Sequence, residues 1–257
     1  MRLNMTYKGK WGLITGVGLG NMAEGIVMGF HNVGIKTVLV GHEQEKVEQV
    51  ASKLRGGRER VIQKSVDFEV MVSHGPRSFK EFVDELRKDV PEMHILVHAA
   101  GYARAAAFMD TDRETFERTF AVNLSAPFFL TQEILRSKWM SEGAIINIAS
   151  TVGESTHGWS GGMAYSLSKS ALLLWSQMMA VELAPKIRIN SILPGSIDTP
   201  MADKLLGESG KKQMADSIPL KRLGTVDEVA SVVLELVNNP YLSGTEVRVD
   251  GARTVGG

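Results

Sequence analysis

The chain has no cysteine, which excludes disulfides and thiolate metal centres and allows a reducing compartment. It has no charge excess, because 29 Lys and Arg balance 29 Asp and Glu, so nothing draws it to nucleic acid or an anionic membrane. No run is long and apolar enough to span a bilayer, and Met1 to Lys10 carries no apolar signal core. The six histidines (His31, His42, His74, His94, His98 and His157) lack close ligand spacing, so no metal is expected. A cytoplasmic protein without a nucleic-acid or membrane partner is the resulting expectation. What the chain does have is 257 residues, of which 44% are hydrophobic, enough for a sizeable core.

Short apolar runs alternate with longer amphipathic ones. Strands are expected at Trp11–Ile14, Thr37–Val40, Arg60–Val66, His94–Val97, Ala144–Ile148, Ile187–Ile192 and Val247–Val249. Helices are expected at Glu24–Val33, Glu43–Leu54, Ser78–Val90, Thr115–Met140 and Ala164–Ala184. This alternation predicts a doubly wound α/β fold with a mostly parallel sheet, whose ligands bind beyond the carboxyl ends of the strands. No low-complexity linker divides the chain, so 1–257 reads as one domain. Ala202 to Pro219 is polar and contains Gly207 and Gly210; it reads as an excursion from the sheet, with a candidate lid at about 196–220.

Tyr165 and Lys169 stand four residues apart at the head of an apolar helix, so a phenol and an ammonium share one face. Such a pair also arises by chance on exposed helix turns; its company gives it weight. Upstream, Thr15-Gly16-Val17-Gly18-Leu19-Gly20-Asn21-Met22-Ala23 joins a strand to a helix. Glycines there let the backbone approach a pyrophosphate, and the helix N-terminus supplies amide donors. An acidic residue directly after the second strand would favour NAD by bonding the ribose 2′-OH. Gly41 stands there instead, followed by His42, either a neighbour of a 2′-phosphate or a solvated loop residue. The reading leans to NADP, with NAD as the alternative. Asp67, after the third strand, is either an acceptor for the adenine amino group or a loop aspartate.

These residues together resemble the single-domain short-chain dehydrogenase/reductase family, a Rossmann fold. The resemblance runs through His98-Ala99-Ala100-Gly101, Val122-Asn123-Leu124, Asn147 to Ser150, Tyr165 to Lys169, and Ile189 to Gly195. Thr199-Pro200-Met201, Ile218-Pro219-Leu220 and Val249-Asp250-Gly251 complete it. It implies an NAD(P)-dependent enzyme interconverting a carbonyl and a secondary alcohol, with a catalytic tetrad of Asn123, Ser150, Tyr165 and Lys169. It places Gly16, Gly18 and Gly20 on the pyrophosphate, and Pro194, Gly195, Ile197 and Thr199 near the nicotinamide. Asn21, Met22, His42, Asp67, Phe68, Ala99 and Gly101 complete the expected cofactor contacts, with Asn123, Tyr165 and Lys169 shared. Met22 departs from the family's third loop glycine, and Leu19 from the basic residue common in NADP enzymes. The stretch from Ser150 to Tyr165 is about two residues longer than usual and contains Trp159-Ser160-Gly161-Gly162. Ser155 and Ser160 compete with Ser150, which is preferred because it directly follows a strand. His157 in that stretch is either a substrate contact or an exposed residue.

Tyr165 is expected to pass a proton to and from the substrate oxygen. A cation about 6 Å away at an effective dielectric of about 20 favours phenolate by roughly 3 kcal/mol, or about two pKa units. Asn123 is expected to hold a water linking Lys169 to solvent, to distort its helix as a structural residue, or to do both, and Ser150 to bond the substrate oxygen. The apolar run Ala171 to Val181, and the helix with Phe128, Phe129 and Leu130, carry more apolar surface than one sheet covers; the resemblance implies that they pack on symmetry mates in a homodimer or homotetramer, the alternative being that the 202–219 excursion covers them within one subunit. A 3-oxoacyl thioester, or a sugar, polyol or keto acid, are the substrate alternatives. Lys204, Lys211, Lys212, Lys221 and Arg222 are a candidate basic patch for an anionic substrate. A catalytically silent nucleotide-binding sensor or scaffold is the competing class.

Overall fold

Seven short apolar runs form the strands of one sheet: β1 (Trp11–Thr15), β2 (Lys36–Gly41), β3 (Val61–Ser65), β4 (Ile95–His98), β5 (Gly143–Ile148), β6 (Ile187–Pro194) and β7 (Glu246–Val249). The computed structural model describes residues 7–54, 61–154, 159 and 161–255. Ser155, His157 and Ser160 lie outside the described residues, as does the expected strand start at Arg60. All pairings are parallel, in the order β3-β2-β1-β4-β5-β6-β7. The chain winds outward from β1 to β3, then crosses back to lay β4 on the other side of β1, which makes the gap between β1 and β4 the switch point.

Successive strand residues point to opposite faces, and here both faces are covered. Leu13, Val38, Leu96 and Ile145 join one cluster with Phe79, Phe82, Leu130 and Ile134. Ile14, Leu39, Val97 and Ile146 join the other with Ile26, Phe30, Val47 and Val233. The helices supplying the covers are α1 (Met22–Asn32), α2 (Gln44–Ser52) and α9 (Val226–Asn238) on the second face. On the first lie α3 (Phe68–Ser73), α4 (Pro76–Leu86), α6 (Ala126–Arg136) and the end of α7 (Met163–Glu182). Each such buried side chain contributes roughly 1.5–3 kcal/mol. Histidines bracket the central strand β4. His94, just before it, and His98, at its end, are both buried.

Three expectations change. The single helix 115–140 is α5 (Arg113–Phe120), a π-helical stretch Ala121–Ser125, and α6. Pro127 has no N–H to offer the carbonyl of Asn123, four residues back, so the ladder widens there. The six-residue α3 escaped the periodicity because it spans under two turns; Asp67 starts it by accepting from the Glu69 and Val70 amides at 2.9 and 3.3 Å. The polar excursion is helix α8 (Pro200–Ser217), broken at Gly207 (φ 62°, ψ 177°) and without a buried residue. Among the described residues no helix is long and apolar enough to cross a membrane.

Candidate active site

Gly16 leaves β1 with φ 76°, and a β-carbon on it would lie 2.5 Å from the backbone of Ala100. Only glycine lets the first loop press this closely against the loop after β4. Gly20 also has positive φ, 70°. Asn21 then caps α1: its Oδ1 accepts from the Glu24 amide at 3.1 Å, and its Nδ2 donates to the Gly16 carbonyl at 2.8 Å. The Asn21 side chain thus braces the turn. Glu24 Oε2 accepts from the Gly20 amide at 2.5 Å and its other oxygen pairs with Lys53.

This turn forms one wall of a cleft of about 370 Å³ at the switch point. Gly16, Gly18, Asn21 and Met22 line it from the first loop. His42, Asp67 and Phe68 line it beyond β2 and β3; Ala99, Gly101, Tyr165, Lys169 and Thr199 line the rest. Gly20, Asn123, Ser150, Pro194, Gly195 and Ile197 are not among the residues that line it. A glycine cradle that a β-carbon would fill, opening onto a helix N-terminus, suits a dinucleotide diphosphate. Among the described residues no cluster of His, Asp and Glu could hold a metal ion.

Beyond β2, a β-carbon on Gly41 would come within 2.3 Å of the Val17 carbonyl and 2.4 Å of Val47. No acidic side chain fits at that position, whatever the cofactor. His42 Nδ1 lies 3.6 Å from Asp67 Oδ2. Asp67 therefore has one oxygen on the α3 cap and the other toward His42, so the loop-aspartate reading holds for half its carboxylate. Lys46 pairs with Glu43 at 2.6 Å. Arg118 stacks 4.6 Å over the Tyr102 ring, its Nε 3.1 Å from Glu69 Oε2 but off the hydrogen-bonding direction. Val17, Lys46, Tyr102 and Arg118 line the cleft and were missed in the sequence. Tyr102 directly follows Gly101 and was within reach; Arg118 has no spacing signal because α5 delivers it from a distant segment.

At the other end, Ser150 sits just past β5, where its hydroxyl accepts from the Val152 amide at 3.4 Å and lies close enough to the Tyr165 hydroxyl to favour the phenolate. Lys169 is buried, donates to the Ile148 carbonyl at 2.7 Å, and holds its Nζ 5.6 Å from the Tyr165 ring centre. The expected lowering of the phenol does not prevail. Desolvation of its hydroxyl pushes Tyr165 up to about 12, only partly offset by the nearby Ser150 hydroxyl, although the residue is half-buried. Burial likewise pushes Lys169 down to about 8. The Asn123 side chain is a structural brace. Its Oδ1 accepts from the Tyr102 amide at 2.8 Å, and its Nδ2 donates to the Tyr102 carbonyl at 3.0 Å and to Ser168 Oγ at 2.9 Å. The side chain has no donor left for a water. Ser168 in turn donates to the Tyr165 carbonyl at 2.7 Å, so Asn123 ties the loop after β4 to the first turns of α7. His98 Nε2 lies 2.8 Å from Thr131 Oγ1; burial, with Lys169 nearby, holds the imidazole neutral at about 3.

Two members of the candidate basic patch are held in ion pairs, Lys211 and Arg222. Lys211 bridges Asp198 at 2.6 Å and Asp203 at 2.7 Å, Arg222 grips Glu228, and Lys221 donates to the Asp216 carbonyl.

Residues 16–253 match the family model described as enoyl-(acyl carrier protein) reductase. The 3-oxoacyl-(acyl-carrier-protein) reductase FabG of Aquifex aeolicus is 30% identical over 97% of this chain and 99% of its own. Nodulation protein G of a Rhizobium species is 32% identical over 95% and 96%. A Brucella melitensis crystal structure, described as a short-chain dehydrogenase/reductase and a glucose/ribitol dehydrogenase, superposes with a TM-score of 0.88 at 26% identity, covering 97% of this chain and 98% of that one.

Proposed function

Since the chain belongs to the short-chain dehydrogenase/reductase family and is an NAD(P)-dependent oxidoreductase, we propose that it reduces a small carbonyl compound to a secondary alcohol, with Tyr165 as the proton donor. The observation that carries this is the convergence of Tyr165 and Lys169 on the cleft, with the ammonium 5.6 Å from the phenol ring and Ser150 beside the hydroxyl. Bound NAD(P)H supplies hydride to the carbonyl carbon. The chain's own residues handle the oxygen. Ser150 and Tyr165 bond it, and the Tyr165 proton moves to it as charge develops. Lys169, cationic below about pH 8, stabilises the phenolate left behind. With its hydroxyl pushed up to about 12, Tyr165 is protonated at neutral pH, the form that reduction requires. Asn123 acts by positioning Tyr102 and α7.

The first-loop glycines and Asn21 would seat the diphosphate, and His42 with Lys46 would face a 2′-phosphate. The blocked carboxylate position at Gly41 favours NADPH over NADH. α8 forms a substrate cover whose base, Thr199-Pro200-Met201, lines the cleft. Leu167, Leu174, Met178 and Val181 form an exposed stripe on α7, Leu174 60% and Val181 82% exposed; we place a second copy of the chain there, in a cytoplasmic homo-oligomer. The primary test is oxidation of NADPH and NADH against a carbonyl panel. Turnover that survives Tyr165→Phe would defeat the assignment, and no turnover with intact cofactor binding would favour the silent binding protein.

A further inference from the structure

Trp159 is built into the reaction end in a way the tetrad does not explain. Its backbone N–H donates to Ser166 Oγ at 2.9 Å, and its carbonyl accepts from the Gly162 amide at 3.0 Å, closing a turn at the head of α7. The turn is pinned from the far side, where the Ala106 amide donates to the Gly161 carbonyl at 2.8 Å. The two glycines form the bed of the indole. A β-carbon on Gly162 would lie 2.1 Å from Trp159 Cε3, and one on Gly161 2.9 Å from its Nε1. Neither clash could be relieved without moving the ring. Seated this way, the half-buried indole stands 6.5 Å from the Tyr165 ring, edge to face at 75°.

We propose that Trp159 is a specificity-determining residue that selects carbonyl substrates bearing a flat apolar ring beside the C=O, such as cyclic or aryl-fused ketones. The inference rests on Tyr165 and Ser150 being the carbonyl's partners. An oxygen bonded to both hydroxyls carries its two carbon substituents beside the Tyr165 ring. The indole, packed against the Tyr165 ring, offers an apolar surface next to those substituents. A ring there gains dispersion and edge-to-face contact; a carboxylate or a short polar chain gains neither. The turn fixes the indole before substrate arrives, so little ordering cost is left to binding.

The test compares 2-tetralone with butanedione, using wild-type protein, Trp159→Ala, Trp159→Phe and Gly162→Ala. Trp159→Ala is expected to raise KM for 2-tetralone about tenfold, with kcat changed less than about threefold and butanedione kinetics unchanged. Trp159→Phe should retain most of the preference, and Gly162→Ala should lose it with the tryptophan still present. Equal losses on both ketones, or no change on either, would overturn the proposal. Calorimetric titration of 2-tetralone into the protein–NADP⁺ complex separates this from the reaction assignment. Ring binding that Trp159→Ala abolishes supports the indole subsite even if neither ketone turns over. Binding that is absent in wild type, or unaffected by Trp159→Ala, rejects it.

Discussion

Beyond β2, His42, Lys46 and Arg118 meet Asp67, Glu43 and Glu69 in pairs that water reaches. Beyond β5, Asn123, Ser168 and Lys169 are buried and spend their hydrogen bonds on one another or on backbone. Exposed ion pairs contribute about 0–1 kcal/mol each, whereas orphaning a buried polar group costs about 1–3 kcal/mol. One end of the cleft is therefore easily retuned, and the other tolerates little change. On the present reading, cofactor preference should drift readily by substitution while the proton-transfer geometry stays fixed.

The largest expected effect tests the fixed end. Tyr165→Phe should lower kcat by about 10²–10⁴ while the Kd for NADPH, from fluorescence titration, changes less than about twofold; parallel losses in both would erase the distinction. Asn123→Ala comes next. It orphans Tyr102 backbone groups and Ser168, and should cost about 3 kcal/mol in urea unfolding, with kcat falling and KM for cofactor nearly constant. A variant as stable as wild type would mean that the amide is not a brace. The third effect is a pH profile. Lys169 loses its proton near pH 8, so kcat for reduction should fall as pH rises through that region. A level profile to pH 9.5 would remove Lys169 from the proton chemistry. The smallest effect belongs to the soft end. His42→Asp should shift the NADPH/NADH ratio of kcat/KM about tenfold toward NADH, since a carboxylate there repels a 2′-phosphate, with Tm unchanged within about 2 °C. A large loss of Tm would show that this end is also structural.

Much of this contrast was legible before folding was considered. The strand runs and the Tyr165–Lys169 spacing carry their meaning locally, because burial on two faces demands continuous apolar residues and a helix turn fixes which side chains meet. The π-helical break was readable in principle from Pro127, yet the apolar content of 115–140 hid it. The role of the Asn123 side chain was not readable, since its partners Tyr102 and Ser168 lie 21 and 45 residues away. The Tyr165 pKa went the other way from the pairwise argument because Coulomb's law for two groups omits the desolvation of the hydroxyl itself. The pairing of Lys211 was likewise invisible: it meets Asp198 only because α8 doubles back toward its own base.

The strand β4 gives acid a purchase on the whole sheet. His94 has neither ring nitrogen in a hydrogen bond, and burial outweighs Glu92 and Glu142 in holding it below its ordinary value, with Lys10 adding to the depression. His98 is held at about 3. The unfolded chain protonates both near 6.5, and the native chain takes up those protons only at lower pH. The proton thus behaves as a ligand of the unfolded state, and stability present above pH 6.5 drains away as pH falls toward the native values. For His98 the slope approaches about 1.4 kcal/mol per pH unit below 6.5, and His94 adds to it in the same direction. Urea midpoints between pH 7.5 and 5 should fall steeply, and His94→Gln should make the fall shallower; an unchanged slope would place the acid-sensitive groups elsewhere.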